Sequence, residues 1–258
     1  MARYKLILEY EGTRYSGWQY QKDAKSIQGE LAKAVIKSTG VKDFELMGSG
    51  RTDAGVHALA QVAHLDIDTN VIPQNFLYGI NAHLPTDIHA LSIQKVPDSF
   101  HARHSAEARS YVYQISMRRS AFGKKLVWWV KDPLNIAVMQ ESAAPLIGLH
   151  DFRSFASKDA EGHSTKVKLE KVQIEVSGSL ILIRLVASHF LHKTVRQLVG
   201  SLVEIGRGKW RPESLAEFLK KPGPEPATVT APPSGLFLER VYYPGDHRLT
   251  ILKPVLSI

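Results

Sequence analysis

The spacing of apolar residues changes period repeatedly along the N-terminal half, and this alternation constrains the fold more than any other feature. Alternating apolar positions predict strands over 3–10, 44–47, 58–67 and 88–96. Helical spacing predicts two helices, one from the cap residue Ser26 to Gly40 and one from Pro73 to about Leu84. The resulting order, β-α-β-β-α-β, is typical of a ferredoxin-like or split βαβ unit, an antiparallel sheet with helices on one face.

The C-terminal half repeats much of this order. Strands are predicted over 108–117, 166–176, 180–187 and 236–242, with Ser177-Gly178-Ser179 as a hairpin turn, and helices over 135–146, 191–205 and 212–220. The Pro-rich stretch 221–234 is expected to be irregular. We therefore predict an α+β protein of two similar halves, 1–104 and 105–258, with mainly antiparallel sheets that flank a central basic cleft.

Charge and cysteine usage narrow the function. The 258 residues contain 33 Lys and Arg against 25 Asp and Glu, which gives a net charge of +8. Such a surplus indicates an anionic partner, either nucleic acid or a membrane surface. The absence of cysteine excludes disulfides, thiolate catalysis and thiolate zinc sites. The sequence lacks a long apolar run and a signal-peptide pattern, so a cytoplasmic protein without a membrane span is expected.

Two segments of the chain could account for the whole surplus of positive charge. Residues 101–130 contain six Lys and Arg against Glu107, and residues 189–211 contain five against Glu204. Aromatic residues are interleaved in the first segment, where Tyr111 and Tyr113 share a strand face. Cations neutralise phosphates and aromatic rings stack on unpaired bases, so the pattern favours nucleic acid over a plain solvated face.

A glycine-rich loop, 48–58, is the candidate site for chemistry. It contains Gly48, Gly50 and Gly55 around Arg51 and Asp53, and apolar segments flank it on both sides. A hairpin turn with a surface ion pair is the simplest interpretation. A lone carboxylate can also act as a general base, a nucleophile or an electrostatic stabiliser, and a nearby arginine would favour its charged form. The aromatic residues of the preceding loop, Tyr15, Trp18 and Tyr20, are expected to be exposed.

Other chemistries fit the sequence less well. The loop lacks the Lys-Ser/Thr ending of a phosphate-binding loop, and no helix pattern follows it as a dinucleotide site requires. Ser49 or Thr52 with His57 would suggest a hydrolase, but no strand–Ser–helix elbow surrounds them. His101 and His104 with Glu107 could ligate a metal, although histidines at such spacings are more often surface or RNA-contacting residues.

The stretch Gly50-Arg51-Thr52-Asp53-Ala54-Gly55-Val56-His57-Ala58 resembles the signature of the tRNA pseudouridine synthase A family. Further stretches agree in order along the chain: Gly17-Trp18-Gln19, Ile27-Gln28-Gly29-Glu30-Leu31, Phe100-His101-Ala102-Arg103, Arg109-x-Tyr111-x-Tyr113, His150-Asp151-Phe152, Phe190-Leu191-His192 and Val195-Arg196. The resemblance covers essentially the whole chain. It departs from the family at Thr194, where many members have methionine, and over 157–165, to which no role is assigned.

The resemblance implies the pseudouridine synthase fold and a reaction that isomerises uridine to pseudouridine at positions 38, 39 and/or 40 of tRNA. It implies that Asp53 is the catalytic carboxylate and that Tyr111 packs on the target base. Arg196 would pair with the carboxylate, and Arg51 would help to hold open the space that the extruded uridine leaves. It also implies a homodimer with tRNA lying across both subunits, and no cofactor or metal.

Two alternatives remain from other classes. The same scaffold could be a non-catalytic tRNA-binding or tRNA-folding protein, although such a protein would be expected to have lost Asp53. A metal-dependent nuclease could use Asp53, His57 and the other histidines, and its activity would be lost in a chelator.

Overall fold

The computed structural model describes residues 1–69, 71–157 and 164–256. It divides into two compact units. Unit 1 consists of Met1–Glu107 with Phe237–Asp246, and unit 2 consists of Ala108–Leu236 with the segment that starts at His247. The division of the chain into two functional halves after residue 104 stays a prediction. Unit 1 differs from the predicted N-terminal half because it also includes a strand from the C-terminal end of the chain.

Unit 1 contains a mainly antiparallel sheet with the strand order β4-β1-β3-β10, and β2 pairs with β3. Its strands are β1 Ala2–Tyr10, β2 Phe44–Gly48, β3 His57–Ile67, β4 Ile88–Val96 and the greater part of β10 Leu236–Tyr242. Strand β1 is antiparallel to β3 and β4, and β10 is parallel to β3 through the pairs Phe237–His57 and Leu238–Ala58. The helices α1 Ile27–Thr39 and α2 Pro73–His83 pack against each other.

The caps and the core of unit 1 follow the sequence pattern. The Ser26 hydroxyl accepts a hydrogen bond from the Gly29 amide at the start of α1, and Gly40 ends the helix with a φ of 74°. Alternate residues of β1 are buried, with Tyr4 and Tyr10 at the two ends of the run. The predicted strands and helices of this half are thus confirmed, apart from small shifts in their ends.

In unit 2, the sheet strands β5, β9, β8 and β7 are neighbours in that order and antiparallel, while the short β6 pairs with β5 in parallel. Its strands are β5 Ala108–Ser116, β6 Trp128–Trp129, β7 Gly148–Asp151, β8 Lys166–Ser177 and β9 Leu180–Ala187. Its helices are α3 Ile136–Ala143, α4 Thr194–Gly206, α5 Ser214–Lys220 and α6 Glu225–Thr228. Every residue of β9 is buried.

A buried arginine ties the C-terminal segment to this sheet. Arg184 on β9 is 1% exposed, and its guanidinium donates to the Ile251 carbonyl at 2.8 Å and to the Gln173 side chain at 3.2 Å. The Val255 amide donates to the Gln114 side chain at 2.6 Å. The segment therefore covers β9 and supplies carbonyl partners to a charge that would otherwise be costly to bury.

Several sequence expectations require correction. Strands β6 and β7 were not predicted, and the stretch 221–234, expected to be irregular, contains α6 and the 3-10 turn Pro233–Gly235. Tyr15 and Trp18 are buried, at 3% and 2% exposure, so only Tyr20 of the three loop aromatics is exposed. The segment 157–165 falls mostly outside the described residues. Within the part of the chain that the structure describes, no helix combines the length and apolarity needed to cross a membrane.

Candidate active site

The loop that carries Asp53 connects β2 to β3 at one end of the unit 1 sheet. The Ser49 amide donates to the Val62 carbonyl at 2.7 Å, which extends the pairing of the two strands into the loop. Asp53 is half-buried in a turn that closes through a hydrogen bond from the Val56 amide to its carbonyl at 3.1 Å. Gly55 completes the turn with a φ of 77°, a conformation that favours glycine. The loop has the hairpin geometry that the sequence suggested.

A buried polar network fixes the loop from behind. The Tyr10 hydroxyl and the Thr52 hydroxyl form a hydrogen bond of 2.9 Å, next to Asp53 in the chain. The side-chain amide of Gln61 donates to the Gly50 carbonyl at 3.1 Å and lies 3.4 Å from the Tyr10 hydroxyl. The Ser49 hydroxyl donates to the Gln61 side-chain oxygen at 2.7 Å. Burial raises the pKa of Tyr10 far above its usual value, so its hydroxyl stays protonated and available to the network.

The segment that follows β1 packs closely on the same loop. The Trp18 amide donates to the Thr52 carbonyl at 3.1 Å, and the Gly55 amide donates to the Tyr15 carbonyl at 3.2 Å. Gly17 has a φ of 89°, and a side chain there would collide with the Thr52 carbonyl. Trp18 fills the space beside Gly48, where a Cβ atom would meet its indole ring. Main-chain hydrogen bonds from this segment thus hold the loop at residues 52 and 55.

Arg51 is exposed beside this rigid core. Its Nε donates to the Gln19 side-chain oxygen at 3.2 Å. The Gln19 amide donates in turn to the Gln28 side chain at 3.0 Å, and Gln28 also accepts from the Tyr20 amide at 2.8 Å. A pair of glutamines therefore orients the guanidinium of Arg51.

His57 has a packing role under the loop. Its ring is 1% exposed and stacks on Phe237, with centroids 4.7 Å apart. Its Nδ1 accepts a hydrogen bond from the Gly12 amide at 2.9 Å. Because Nδ1 accepts this hydrogen bond, the neutral ring carries its proton on Nε2, and neither nitrogen can act as a base or bind a metal. The hydrolase and nuclease interpretations therefore cannot use His57.

A cluster of three histidines, His64, His101 and His104, lies elsewhere in unit 1. The rings of His64 and His101 are 4.6 Å apart, and those of His101 and His104 are 4.3 Å apart. The Nδ1 of His64 accepts from the Ala102 amide at 3.2 Å, and the Nδ1 of His101 accepts from the amides of Arg103 and His104. Among the described residues, no group of three or more histidine or carboxylate side chains is arranged to hold a metal ion.

Unit 2 carries the two other predicted site residues. Tyr111 is half-buried on β5, opposite Leu185 of β9, and its ring makes an edge contact with Phe190 at 5.2 Å between centroids. Arg196 lies in the first turn of α4, where its Nε donates to the Ala231 carbonyl at 2.7 Å. The Ala231 amide donates back to the Arg196 carbonyl at 3.0 Å, so α4 and the segment before β10 hold each other.

The neighbours of Arg196 are unusually constrained. Burial raises the pKa of Tyr113 well above its usual value, and the positive charge of Arg196 opposes this shift. The Tyr113 hydroxyl donates to the Pro232 carbonyl at 2.8 Å, next to the partner of Arg196. Lys193, just before α4, has a φ of 65°, a left-handed conformation that costs a non-glycine residue about 1–2 kcal/mol. Strain of this kind is typical of sites where the backbone must follow one path.

Comparison with known proteins gives this arrangement a context. A family model described as tRNA pseudouridine synthase matches residues 6–105 and 143–244, which include Asp53, Arg51 and Arg196. A tRNA pseudouridine synthase A from Nitrobacter winogradskyi is 43% identical over 249 residues, which are 95% of this chain and 97% of that protein. One from Bartonella tribocorum is 42% identical over 94% of this chain and its own full length.

The matches run through both units, and they agree with the α+β class and with the mainly antiparallel sheets observed in each unit. They also include the loop that carries Asp53, which a buried network and close main-chain contacts hold in place. The chain belongs to the tRNA pseudouridine synthase family, the isomerases that convert uridine in tRNA to pseudouridine.

Proposed function

We propose that this protein converts uridine to pseudouridine at positions 38, 39 and/or 40 of the anticodon stem–loop of tRNA, with Asp53 as the catalytic group. The observation that supports this most is the half-buried carboxylate on a loop whose backbone is held at residues 52 and 55. A carboxylate that must meet one atom of a base needs such fixed geometry, because small misplacements cost large factors in rate.

The reaction needs no external reagent. The bond between the ribose anomeric carbon and the ring nitrogen breaks, the base turns, and a ring carbon forms the new bond to the ribose. That carbon loses a proton and the ring nitrogen gains one, so atoms and electrons balance within the substrate. Attack of Asp53 on the anomeric carbon and attack on the uracil ring both use the same carboxylate, as a nucleophile in either case.

The base must leave the helix before these atoms can be reached. We assign Arg51 to the space that the uridine vacates, since it is exposed beside the loop and oriented by Gln19. A guanidinium plane can stack against bases that have lost a neighbour.

The other two proposed site residues, Tyr111 and Arg196, belong to unit 2. Tyr111 offers a half-buried ring, steadied by Phe190, as a surface for the target base, where it would assist removal of the proton from the ring carbon. Arg196 is assigned to the carboxylate of Asp53, because a guanidinium can orient both carboxylate oxygens. Its hydrogen bond to Ala231 engages Nε and sets the direction of the group.

We also assign tRNA, bound across two subunits of a homodimer, as the partner. The two basic segments, 101–130 and 189–211, both include residues of unit 2 and offer the charge that phosphates need. Sedimentation of the protein alone and with tRNA tests this assignment, and a monomer that forms an active one-to-one complex would contradict it.

The decisive experiment uses purified protein, unmodified tRNA transcripts and chemical mapping of pseudouridine. Asp53→Asn and Asp53→Ala should abolish pseudouridine formation while tRNA binding persists, because the change removes the reactive oxygen and little of the RNA surface. Asp43→Asn, at an exposed carboxylate just before β2, is the matched control and should stay active. Normal turnover by Asp53→Asn would overturn the assignment of this residue.

Two further comparisons test the modified positions and the alternative of a non-catalytic protein. Transcripts in which uridines 38, 39 and 40 are replaced one at a time by cytidine should lose the corresponding signal, and pseudouridine that forms elsewhere would contradict the positions. A non-catalytic tRNA-binding protein would bind the same transcripts and leave every uridine unchanged.

A further inference from the structure

A basic pocket in unit 2 is not used by the proposed chemistry. It has a volume of about 730 Å³, and its lining includes Arg118, Arg119, Lys124, Trp129 and Ser234. Residues 108–131 contain six Lys and Arg and no Asp or Glu, so the pocket lies in a stretch without carboxylates. Trp129 is 42% exposed, which leaves a large part of its indole available to a ligand.

The cations of this pocket differ from others in the same unit. Arg207, Arg211 and Arg248 form salt bridges with Asp132, Glu217 and Glu170, at 2.7–2.9 Å. In the described part of the chain, Arg118, Arg119 and Lys124 form no salt bridge, and all three are exposed. Their charges are therefore available to an anion that comes from outside the protein.

Hydrogen bonds hold the walls of the pocket in place. Strand β6 pairs with the end of β5 through Ser116 and Trp129, which fixes the indole beside the strand end. The Ser116 hydroxyl donates to the Arg118 carbonyl at 2.7 Å, and the Ser234 hydroxyl donates to the Val127 carbonyl at 3.2 Å. The guanidinium of Arg119 lies 5.7 Å from the centre of the Trp129 ring, a cation–π contact that keeps the positive charge beside the indole.

Short stretches of chain connect the pocket to the partner of Arg196 and to Tyr111. Ser234 in its lining follows Ala231, the carbonyl partner of Arg196, by three residues, which span at most about 11 Å when extended. On the other side, Ser116 follows Tyr111 by five residues of continuous strand, about 17 Å. The pocket thus lies within a few nucleotide lengths of the two residues of unit 2 that are assigned to the substrate.

We propose that this pocket binds the tRNA backbone beside the target nucleotide, with phosphates on Arg118, Arg119 and Lys124 and an unpaired base against Trp129. This inference rests on the proposed function, and it adds a second point of contact that holds the RNA while the uridine leaves its stack. Phosphate contacts position an RNA without reading its sequence.

The test compares a pocket variant with a charge-matched control. Arg118→Gln, Arg119→Gln and Lys124→Gln are combined in one protein, and Lys220→Gln, Lys221→Gln and Lys253→Gln, all exposed in unit 2, are combined in the other. Affinity for unmodified tRNA transcripts is measured over a range of salt concentrations. The pocket variant should bind about tenfold or more weakly at moderate salt, and its salt slope should fall by about 2–3, since each lost phosphate contact removes about 0.7–0.9.

Turnover separates this inference from the proposed function. At saturating tRNA the pocket variant should keep the wild-type kcat and raise KM, because no reacting atom lies in the pocket. Trp129→Leu should weaken tRNA binding by about tenfold with a nearly unchanged salt slope, since stacking does not depend on counterions. If the wild-type protein formed no pseudouridine in tRNA, the proposed function itself would be wrong.

One result would overturn the inference alone: a pocket variant that binds tRNA as tightly as the charge-matched control while the wild-type enzyme remains active. Tryptophan fluorescence that UMP quenches in the wild type and not in Trp129→Leu would then assign the pocket to a free nucleotide.

Discussion

The Tyr10 hydroxyl, at the end of the first strand, lies 2.9 Å from the hydroxyl of Thr52, the residue before the proposed catalytic carboxylate. We predict that Tyr10→Phe lowers the free energy of unfolding by about 1–2 kcal/mol, because it leaves the buried Thr52 hydroxyl without this partner. The kcat for pseudouridine formation should fall about ten- to a hundredfold, since the loop backbone loses a support beside Asp53. Single-turnover kinetics and denaturant unfolding measure both effects.

The kinetic pattern distinguishes positioning from general destabilisation. Tyr10→Phe should leave tRNA affinity unchanged, because the hydroxyl is buried away from the RNA. Tyr4→Phe is the matched control on the same strand, since Tyr4 is equally buried and packs edge-on against Phe76. Equal losses of kcat in the two variants would show that the Tyr10–Thr52 contact has no special role.

The contact between Gly17 and the Thr52 carbonyl leads to a second prediction. Gly17→Ala should destabilise unit 1 by more than about 2 kcal/mol, since a left-handed alanine costs about 1–2 kcal/mol and the added Cβ also meets the carbonyl. Gly178→Ala isolates the conformational part, because Gly178 has a φ of 59° and open space around it. Urea unfolding of both variants measures the difference, and equal losses would show that the loop moves aside without cost.

The order of strands and helices could be predicted from the sequence, because local periodicity and end signals such as Ser26, Gly40 and Pro73 specify it. The polar network around residue 52 could not, since Tyr10, Thr52 and Gln61 are separated by up to 51 residues and leave no local pattern. Trp18 was expected to be exposed because it lies in a glycine-containing loop, yet Gly48 provides the space that buries it. Side chains that meet across the fold are visible only in three dimensions.

The sequence did identify Asp53, Arg51, Tyr111 and Arg196 as candidates, through a resemblance that spans the chain. Their roles stay predictions, since the structure shows the surroundings of each residue and not its chemistry. The hydrogen bonds that orient these side chains, from Arg51 to Gln19 and from Arg196 to Ala231, are seen only in the structure. They are contacts of one side chain with another segment, and neither residue type nor spacing reveals them.

The histidine cluster of unit 1 predicts a dependence of stability on pH. Burial lowers the pKa of His64, and the nearby His101 and Arg3 lower it further. Burial also lowers the pKa of His101, together with His104 and Arg3. The unfolded chain, with a histidine pKa of about 6.5, therefore binds more protons than the folded chain below that pH. The stabilisation is complete above about pH 6.5 and is lost as the pH falls towards the lower folded pKa values.

Denaturant unfolding at about pH 7.5 and about pH 5.5 tests this effect of His64 and His101. In the wild type, the free energy of unfolding should be lower at the acidic pH than at the alkaline one. The difference should be smaller in His64→Asn, whose side-chain oxygen can still accept from the Ala102 amide. Asp66, whose hydrogen bond to Arg3 lowers its pKa, contributes at more acidic pH and does not affect this comparison. His89→Asn, at an exposed site, is the control, and an identical pH profile in His64→Asn would contradict the prediction.

The hydroxyl of Thr194, in the first turn of α4, predicts a stabilising substitution. Thr194 is 1% exposed, and its Oγ1 has no hydrogen-bond partner within the described part of the chain. Thr194→Val keeps the shape and removes the buried polar group, so the free energy of unfolding should rise by about 1 kcal/mol. Thr39→Val, which deletes a hydroxyl that donates to the Val35 carbonyl at 2.8 Å, should lower it by about the same amount. Calorimetric melting temperatures of the two variants should therefore move in opposite directions, and a lower value for Thr194→Val would mean that the hydroxyl is satisfied in solution.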